Sequence, residues 1–309
     1  MADRGPSSRV DDWVETVFDK LSQVRDIAKE VGASAILDGG DFFHIKSPGR
    51  NSHELVRRTA EHHADYPCPV YCTPGNHDSV YGDYTFLPQQ PLGVLYAAGV
   101  FKKLYNEYDA LFEKDGLKVR IVGVPYPGTQ NGLEKIQALR KRDEDVLICV
   151  AHVLASLTGG SMFEGEDIVR YSDLLTAAPD VFCFGHWHMD QGVEILGNKT
   201  FINLGSLTRG SLSQDEVQRR PASAVIECTK SGATVEIRRL KVKPAEEVFD
   251  VDARNRQVRQ QIEMDAFVNR IREGLRPKIE GETLKEVLGA TSGVPNEVRE
   301  KALFYLEQV

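Results

Sequence analysis

The chain has 309 residues, of which 41% are hydrophobic and 27% charged, and its formal net charge at pH 7 is −8. These proportions are typical of a folded globular protein with a large core, and no apolar run approaches the roughly 18 residues of a membrane span. The acidic balance excludes a general attraction to nucleic acids, although a local basic strip or a metal-mediated phosphate site is compatible with it.

Apolar runs and turn residues predict helices that alternate with strands. Helices are predicted over residues 10–31 and in "SHELVRRTAEHHAD", and buried strands over 34–38, 69–73, 146–151 and 181–185. Hairpins are predicted in "ALFEKDGLKVRIVGVPY", "GVEILGNKTFINLGS" and "SAVIECTKSGATVEIRRLKV", with turns at Asp115-Gly116, Gly197-Asn198 and Ser231-Gly232. The pattern predicts an α/β fold with a layered sheet core and helices outside.

The chain changes character after about Pro244, where it becomes polar and helical. We therefore predict a globular domain over 1–245 and a helical C-terminal region over 246–309. Two segments of this region carry apolar stripes. The stripes comprise Val258, Ile262 and Phe267, and then Val298, Ala302, Leu303 and Leu306. Such helices either pack as a cap on the core or dock onto a partner.

The cysteines and the start of the chain bear on its location. Five cysteines are scattered along the sequence: Cys68, Cys72, Cys149, Cys183 and Cys228. An odd, dispersed set mostly inside apolar runs is typical of buried free thiols in a reducing compartment. The first residues lack the basic and then apolar pattern of a secretory signal. We therefore expect a cytoplasmic protein without a membrane segment.

Metal-ligand residues follow each of the buried strands. The candidates are Asp41, Asn76, His152, His186 and His188. Ligands of layered α/β folds collect at the carboxyl ends of strands, so we expect these side chains at one rim. Each taken alone fits a turn, a cap or a packed core histidine, but packing does not explain all of them together. Carboxylate, amide and imidazole without thiolate suit Mn²⁺, Fe²⁺ or Zn²⁺.

The order GD, GNHD, H and GHxH resembles the signature of the calcineurin-like metallophosphoesterases. The resemblance covers residues 1–245 and implies a layered α-β-β-α sandwich with a two-metal centre at one edge. The stretches "GDFFHIKSPGRNSHELV" and "NLGSLTRGSLSQDEVQRRPASAVIE" resemble SbcD-type nucleases of DNA double-strand-break repair. Phages carry versions of these enzymes as well. The resemblance implies a metal-dependent DNA exonuclease or endonuclease, with an SMC-like ATPase as partner and a second copy of the chain as a further candidate partner.

The two-metal chemistry of the family assigns roles to the metal ligands. Asp41 would bridge two ions, most simply Mn²⁺, with Fe²⁺, Zn²⁺ or Mg²⁺ as alternatives. The ligands Asn76, His152 and His186 would complete one site, and His188 would serve the other. His77 would protonate the leaving oxygen, with Asp78 orienting its ring.

Two interpretations stay open for each candidate contact to the substrate. His44 is either a contact to the DNA strand or a surface loop histidine. Arg50, Arg57 and Arg58 either contact phosphates or line a solvated face, and Arg209 is a weaker candidate of the same kind.

The family resemblance also bears on the first residues. Its members begin with a buried strand that ends in Asp-x-His and supplies ligands to the ion of His188. This chain begins with "MADRGPSSRVDDW", which resembles the loop after that strand. We expect an upstream start, the alternative being loss of the strand, and a second metal site that is weak in the chain as written.

Three functional classes stay open at this point. The first is a DNA nuclease subunit, which the His44 loop favours. The second is a metallophosphoesterase that acts on a small nucleotide or a phosphoprotein. The third is a catalytically weakened scaffold, which the missing Asp-x-His would explain.

Overall fold

The computed structural model describes residues 1–43, 51–78, 83–126, 132–159 and 168–252, together with separate helical positions between 255 and 304. The chain divides into two units, Met1–Phe249 and Asp250–Val309. The domain boundary predicted after residue 245 lies near this division.

Helices and sheets alternate along the first unit. Its helices are α1 (Trp13–Val31), α2 (His53–His63), α3 (Pro91–Ala97), α4 (Gly132–Gln137), α5 (Gln214–Gln218) and α6 (Ala245–Val248), with 3₁₀ turns at Tyr84–Gln89 and Tyr171–Leu174. The first helix begins at Trp13 rather than Val10, because the Asp12 side chain accepts the Glu15 N–H at 3.1 Å and caps it. It ends at Val31, and the C-cap residue Gly32 has a φ of 61°, in the left-handed region.

Thirteen strands form four sheets in the described residues. The strands are β1 (Ile36–Asp38), β2 (Val70–Cys72), β3 (Phe101–Lys103), β4 (Ala110–Lys114), β5 (Leu117–Val124), β6 (Val146–Ala151), β7 (Ala155–Ser156), β8 (Val169–Arg170), β9 (Val181–Phe184), β10 (Gly192–Leu196), β11 (Lys199–Asn203), β12 (Ala222–Thr229) and β13 (Gly232–Arg239). The four strands predicted over 34–38, 69–73, 146–151 and 181–185 are thereby confirmed, β6 with the predicted bounds and the others slightly shorter. The prediction of burial is wrong for β1, whose three residues are half-buried.

Two of the sheets carry the loops that matter for function. Strands β1, β2 and β3 form a parallel sheet in that order, and the larger sheet has the order β10-β11-β9-β6-β5-β4. The inner strands β11, β9, β6 and β5 are parallel, whereas β10 and β4 pair antiparallel at the edges. All six residues of β6 are buried, as expected for a parallel strand covered on both faces.

Alternate residues of β6 face two different cores. With a third core beyond the three-stranded sheet, the helices and sheets pack in four layers. Val146, Ile148 and Val150 share a core with Leu37 of β1 and Val235 of β13, between the sheets. The intervening residues of β6 face a second core, closed by the residues Ile136, Tyr171 and Leu174. A third core joins the three-stranded sheet to α1, α2 and α3 through Phe18, Leu55 and Leu95. This arrangement confirms the predicted α/β sandwich with outer helices.

The three predicted hairpins are present. Asp115 and Gly116, with φ values of 52° and 72°, form the two-residue turn between β4 and β5. Leu196 pairs with Lys199 around Gly197-Asn198. The turn of the third hairpin was predicted one residue too late. Thr229 pairs with Gly232, so the turn residues are Lys230 and Ser231, and Gly232 begins β13.

The residues before α1 pack against the first unit. Met1 and Ala2 are buried, and the Thr59 hydroxyl of α2 donates to Met1 Sδ at 3.3 Å. Ser52, which caps α2, donates its hydroxyl to Asp3 Oδ1 at 2.7 Å. These contacts tie the opening residues to α2.

All five cysteines are free, as the sequence predicts. Cys72 and Cys149 are buried, and the other three are half-buried. The cytoplasmic location inferred from them stays a prediction.

The second unit is helical at its described positions, which include residues 251–252, 264–266 and 298–301. Of the predicted apolar stripes, Ile262 is 62% exposed and Val298 is half-buried. Val258, Phe267, Ala302, Leu303 and Leu306 lie outside the described residues. In the part of the chain that the structure describes, no helix combines the length and apolarity needed to cross a membrane.

Candidate metal centre

The ends of four parallel strands meet at one edge of the two sheets. Strands β1 and β2 are neighbours with Asp38 opposite Cys72, and β6 and β9 are neighbours with Ala151 opposite Phe184. Each strand is followed within a few residues by one of the predicted ligands. The core between the sheets brings both pairs of loops to the same place.

Three side chains converge there with their donor atoms close together. One ligand atom each from Asp41, His152 and His186 lies within 4.8 Å of the others. His152 Nε2 is 3.3 Å from Asp41 Oδ2 and 3.1 Å from the side-chain oxygen of Asn76. The structure therefore brings together the four side chains that the sequence assigned to one ion.

The buried ring of His152 is oriented by the backbone. Its Nδ1 lies 2.6 Å from the carbonyl oxygen of Gly39, which can only accept, so Nδ1 carries the proton. The lone pair of the neutral ring is then on Nε2, which faces Asp41 and Asn76. Hydrogen bonding of the remote ring nitrogen is the usual way in which a metal-binding histidine is held.

The two carboxylate oxygens of Asp41 have different neighbours. Its Oδ1 accepts the backbone N–H of His77 at 2.8 Å. Its Oδ2 is buried and lies 3.3 Å from His152 Nε2, with which it pairs only when that ring carries a second proton. Beside the neutral ring this buried carboxylate oxygen has no donor, which is costly, and a cation at this point would remove the cost. The residues present therefore fit a divalent ion.

The charges at the site favour an ionised Asp41. Burial by itself would raise the pKa of Asp41, but the charge of His152 and its hydrogen bond, together with His77, lower it. Burial lowers the pKa of His152, but the charge of Asp41, its hydrogen bond and the hydrogen bond to the Gly39 carbonyl together raise it overall. A proton and a metal ion therefore compete for Nε2 of His152.

The backbone is strained where two of the ligands sit. Asp41 and His186 have φ values of 56° and 74°, in the left-handed region that residues other than glycine rarely occupy. Such strain concentrates at functional sites. Neighbouring glycines permit the close approach, since a Cβ at Gly75 would fall on Asp41 Oδ1 and one at Gly185 on the Gly39 carbonyl.

Asp78 joins the two loops of the three-stranded sheet. Its Oδ2 accepts the N–H of Asp41 at 2.8 Å and of Gly75 at 2.9 Å, and its Oδ1 accepts the N–H of Phe43 at 3.2 Å. Burial, followed by the charge of Asp41, raises the pKa of Asp78 to about 7. From the sequence, Asp78 was predicted to orient the ring of His77, and that role stays a prediction. The contact of Asp78 with the backbone of the two loops was not predicted.

We expect Asp78→Ala to destabilise the metal-free protein by about 2–3 kcal/mol, because three N–H groups at a buried site lose their acceptor. Asp78→Asn keeps one acceptor oxygen and is expected to lose less. Urea unfolding at pH 8 measures both, with the exposed Asp65→Ala as the control. An Asp78→Ala variant as stable as the control would show that the loops do not depend on this carboxylate.

The remaining sequence candidates are placed as follows. His188 is exposed and lies outside the group formed by Asp41, His152 and His186, and its carbonyl accepts the Ser206 N–H at 3.0 Å. His77 is half-buried beside Asn76. Their roles as second-site ligand and general acid stay predictions.

The basic candidates either make other contacts or lie outside the residues that the structure describes. His44 and Arg50 lie outside the described residues. Arg57 pairs with Glu54 at 2.7 Å and with Glu61 on its own helix.

Arg209 is buried and donates to the carbonyls of Val217 at 3.0 Å and Lys243 at 2.6 Å. None of these contacts of Arg57 and Arg209 supports the predicted phosphate binding.

Tyr126 is a neighbour of the site that the sequence did not reveal. Its ring centroid lies 5.3 Å from that of His186 and 6.3 Å from that of His152. It follows β5, whose last residue Val124 pairs with Ala151, directly before His152. Predicting this contact would have required the pairing register between β5 and β6, which places Tyr126 near His152.

Comparison with known proteins identifies one family and no curated relative. The profile of the calcineurin-like phosphoesterases matches residues 11–190. No curated protein matches the sequence.

Similar solved structures include the sulfate thiohydrolase SoxB of Thermus thermophilus in complex with glycerol, with 12% identity and a TM-score of 0.45. The NAD nucleotidase NadN of Haemophilus influenzae has 14% identity and a TM-score of 0.40. The alignments cover 79% and 72% of this chain, and 46% and 43% of the other chains. The chain therefore spans less than half the length of either protein.

Proposed function

Because the chain belongs to the calcineurin-like phosphoesterase family and is thus a metal-dependent hydrolase, we propose that it cleaves phosphodiester bonds of DNA. The observation that carries the proposal is the convergence of donor atoms from Asp41, His152 and His186, which lie within 4.8 Å of one another. Asn76 adds a neutral oxygen at the same point. A site of oxygen and imidazole donors suits Mn²⁺ and similar ions.

The residues around this cluster have distinct tasks in the proposed reaction. A bound divalent ion supplies positive charge to the phosphate and lowers the pKa of a water molecule. Asp41 and His152 would hold the ion, and the buried Asp78 accepts the backbone N–H of Asp41 and so fixes that backbone. His77 lies on the loop of Asn76 and would protonate the leaving oxygen.

The sequence supports the SbcD-type branch within the family. The support consists of "GDFFHIKSPGRNSHELV" after the first predicted strand and "NLGSLTRGSLSQDEVQRRPASAVIE" after the GHxH motif. On this basis we propose a role in double-strand-break repair or recombination in the cytoplasm, in a cellular or phage-encoded enzyme. The partners would be an SMC-like ATPase at the unit Asp250–Val309, or a second copy of the chain.

A metal-dependent cleavage assay tests the function. The purified chain is incubated with Mn²⁺ and linear duplex DNA, with bis-p-nitrophenyl phosphate as a diester and p-nitrophenyl phosphate as a monoester. We expect both diesters to be cleaved, EDTA to stop the reaction, and His186→Ala to remove it while the exposed His53→Ala does not. Hydrolysis confined to the monoester would indicate a phosphatase rather than a nuclease. Metal binding without any hydrolysis would support a scaffold instead.

A further inference from the structure

The aromatic side chain of Tyr126 lines the metal centre. Its ring is tilted 57° to the ring of His186 at a centroid distance of 5.3 Å, and it meets the ring of His152 nearly edge-on, at 76° and 6.3 Å. The two histidine rings are themselves 4.9 Å apart. The three rings thus form one aromatic group, two members of which supply donor atoms to the candidate ion site.

The backbone of Tyr126 is fixed on both sides. Its N–H donates to the carbonyl of Pro74 at 3.1 Å, in the loop that carries Asn76. Its own carbonyl accepts the hydroxyl of Tyr84. Two residues before Tyr126, the carbonyl of Val124 accepts the N–H of His152 at 2.9 Å. The backbone position of Tyr126 is therefore fixed by contacts that do not involve the histidine side chains.

The two histidines differ in burial and in backbone conformation. The ring of His152 is buried completely, and Gly39 accepts its Nδ1 proton. His186 lies beyond the end of β9, in the left-handed backbone region, and is only half-buried. Rotation about its side-chain bonds would carry its nitrogen away from Asp41. An adjacent fixed ring restricts that rotation through tilted aromatic packing.

We propose that Tyr126 is a positioning residue of the metal centre, whose ring holds His186, and by edge contact His152, with their donor nitrogens toward Asp41. The proposal rests on the proposed function only for the existence of the ion site. It does not depend on DNA as the substrate. Preorganised ligands bind an ion more tightly because less freedom is lost on binding.

Binding of Co²⁺ alone, followed by its visible absorption and by titration calorimetry, tests the proposal without an activity assay. Tyr126→Phe keeps the ring and is expected to bind within about twofold of the natural protein. Tyr126→Leu removes the ring and is expected to weaken Co²⁺ binding about tenfold, a typical effect of a residue that orients metal ligands. Its Co²⁺ spectrum is also expected to change, because the ligand geometry relaxes.

Tyr105→Leu is the matched control. Tyr105 is buried in the same region and packs on Tyr84 and Tyr96, with ring centroids 6.0 Å apart in both pairs. Its loss is expected to lower thermal stability and to leave Co²⁺ affinity unchanged. If Tyr126→Leu fails to fold, Tyr126→Met, with a flexible apolar side chain, serves as the second ring-free variant.

Each outcome decides the matter. Natural affinity and an unchanged spectrum in the ring-free variant would overturn the proposal, as would an equal loss in Tyr105→Leu. Failure of the natural chain to bind Co²⁺ would overturn the ion site and this inference together. Weakened Co²⁺ binding in Tyr126→Leu, in a chain that does not cleave DNA, would support the inference and refute the nuclease.

Discussion

Replacing Asp41 by asparagine is expected to remove divalent-ion binding and leave the fold intact. The asparagine carbonyl oxygen keeps the hydrogen bond from the His77 N–H, and asparagine tolerates the left-handed φ of 56° at this position. The amide NH₂ would take the place of Oδ2 and donate to Nε2 of the neutral His152 ring, which lies 3.3 Å from Oδ2 in the natural protein. The variant thus exchanges a metal ligand for a hydrogen-bond donor of the same shape.

Thermal unfolding with and without Mn²⁺ measures this effect. Ligand binding to the folded state stabilises the natural protein, by about 2.7 kcal/mol when the free ion is at 100 times its Kd. Asp41→Asn is expected to weaken the Kd by more than about 100-fold, the upper range for residues that merely support ligands, so its Tm should not respond to Mn²⁺. Asp65→Asn, at an exposed turn, is the control. A Tm that still rises with Mn²⁺ in Asp41→Asn would show that the ion binds elsewhere.

Replacing His77 by alanine is expected to lower the rate of DNA cleavage by about 10²–10⁴-fold, the usual effect of removing a general acid. Mn²⁺ binding should persist, because the contact of His77 with Asp41 is made by its backbone N–H, which alanine retains. The loss should be smaller for bis-p-nitrophenyl phosphate, since its leaving group departs without much help from a proton.

Turnover of both substrates in His77→Ala and in the control His53→Ala, with Mn²⁺ affinity measured on the same samples, separates chemistry from metal binding. Equal turnover of His77→Ala and the natural protein on both substrates would exclude the general-acid role. A parallel loss of Mn²⁺ affinity would make His77 part of the metal centre instead.

Much of the fold and most of the metal cluster follow from local patterns in the sequence. Buried parallel strands require continuous apolar runs such as that of β6, and their ends require residues that stop the run. Some signals need only a few neighbouring residues to be recognised. Examples are the glycines directly before Asp41 and His186, and the hairpin turn at Asp115-Gly116. Because the carboxyl ends of parallel strands share an edge, these local signals were sufficient to predict that the ligands would meet.

Contacts between distant segments were decided by the tertiary structure alone. The carboxylate of Asp78 binds the N–H groups of Asp41 and Phe43, and Arg209 binds the carbonyl of Lys243. Tyr126 reaches His186 only through the register of β5, β6 and β9. No pattern along the chain contains these pairings, because they depend on how the sheets pack. The sequence by itself predicted which residues meet at the candidate metal site, because their signals are local. The packing of the sheets determined which buried polar and aromatic side chains lie beside them.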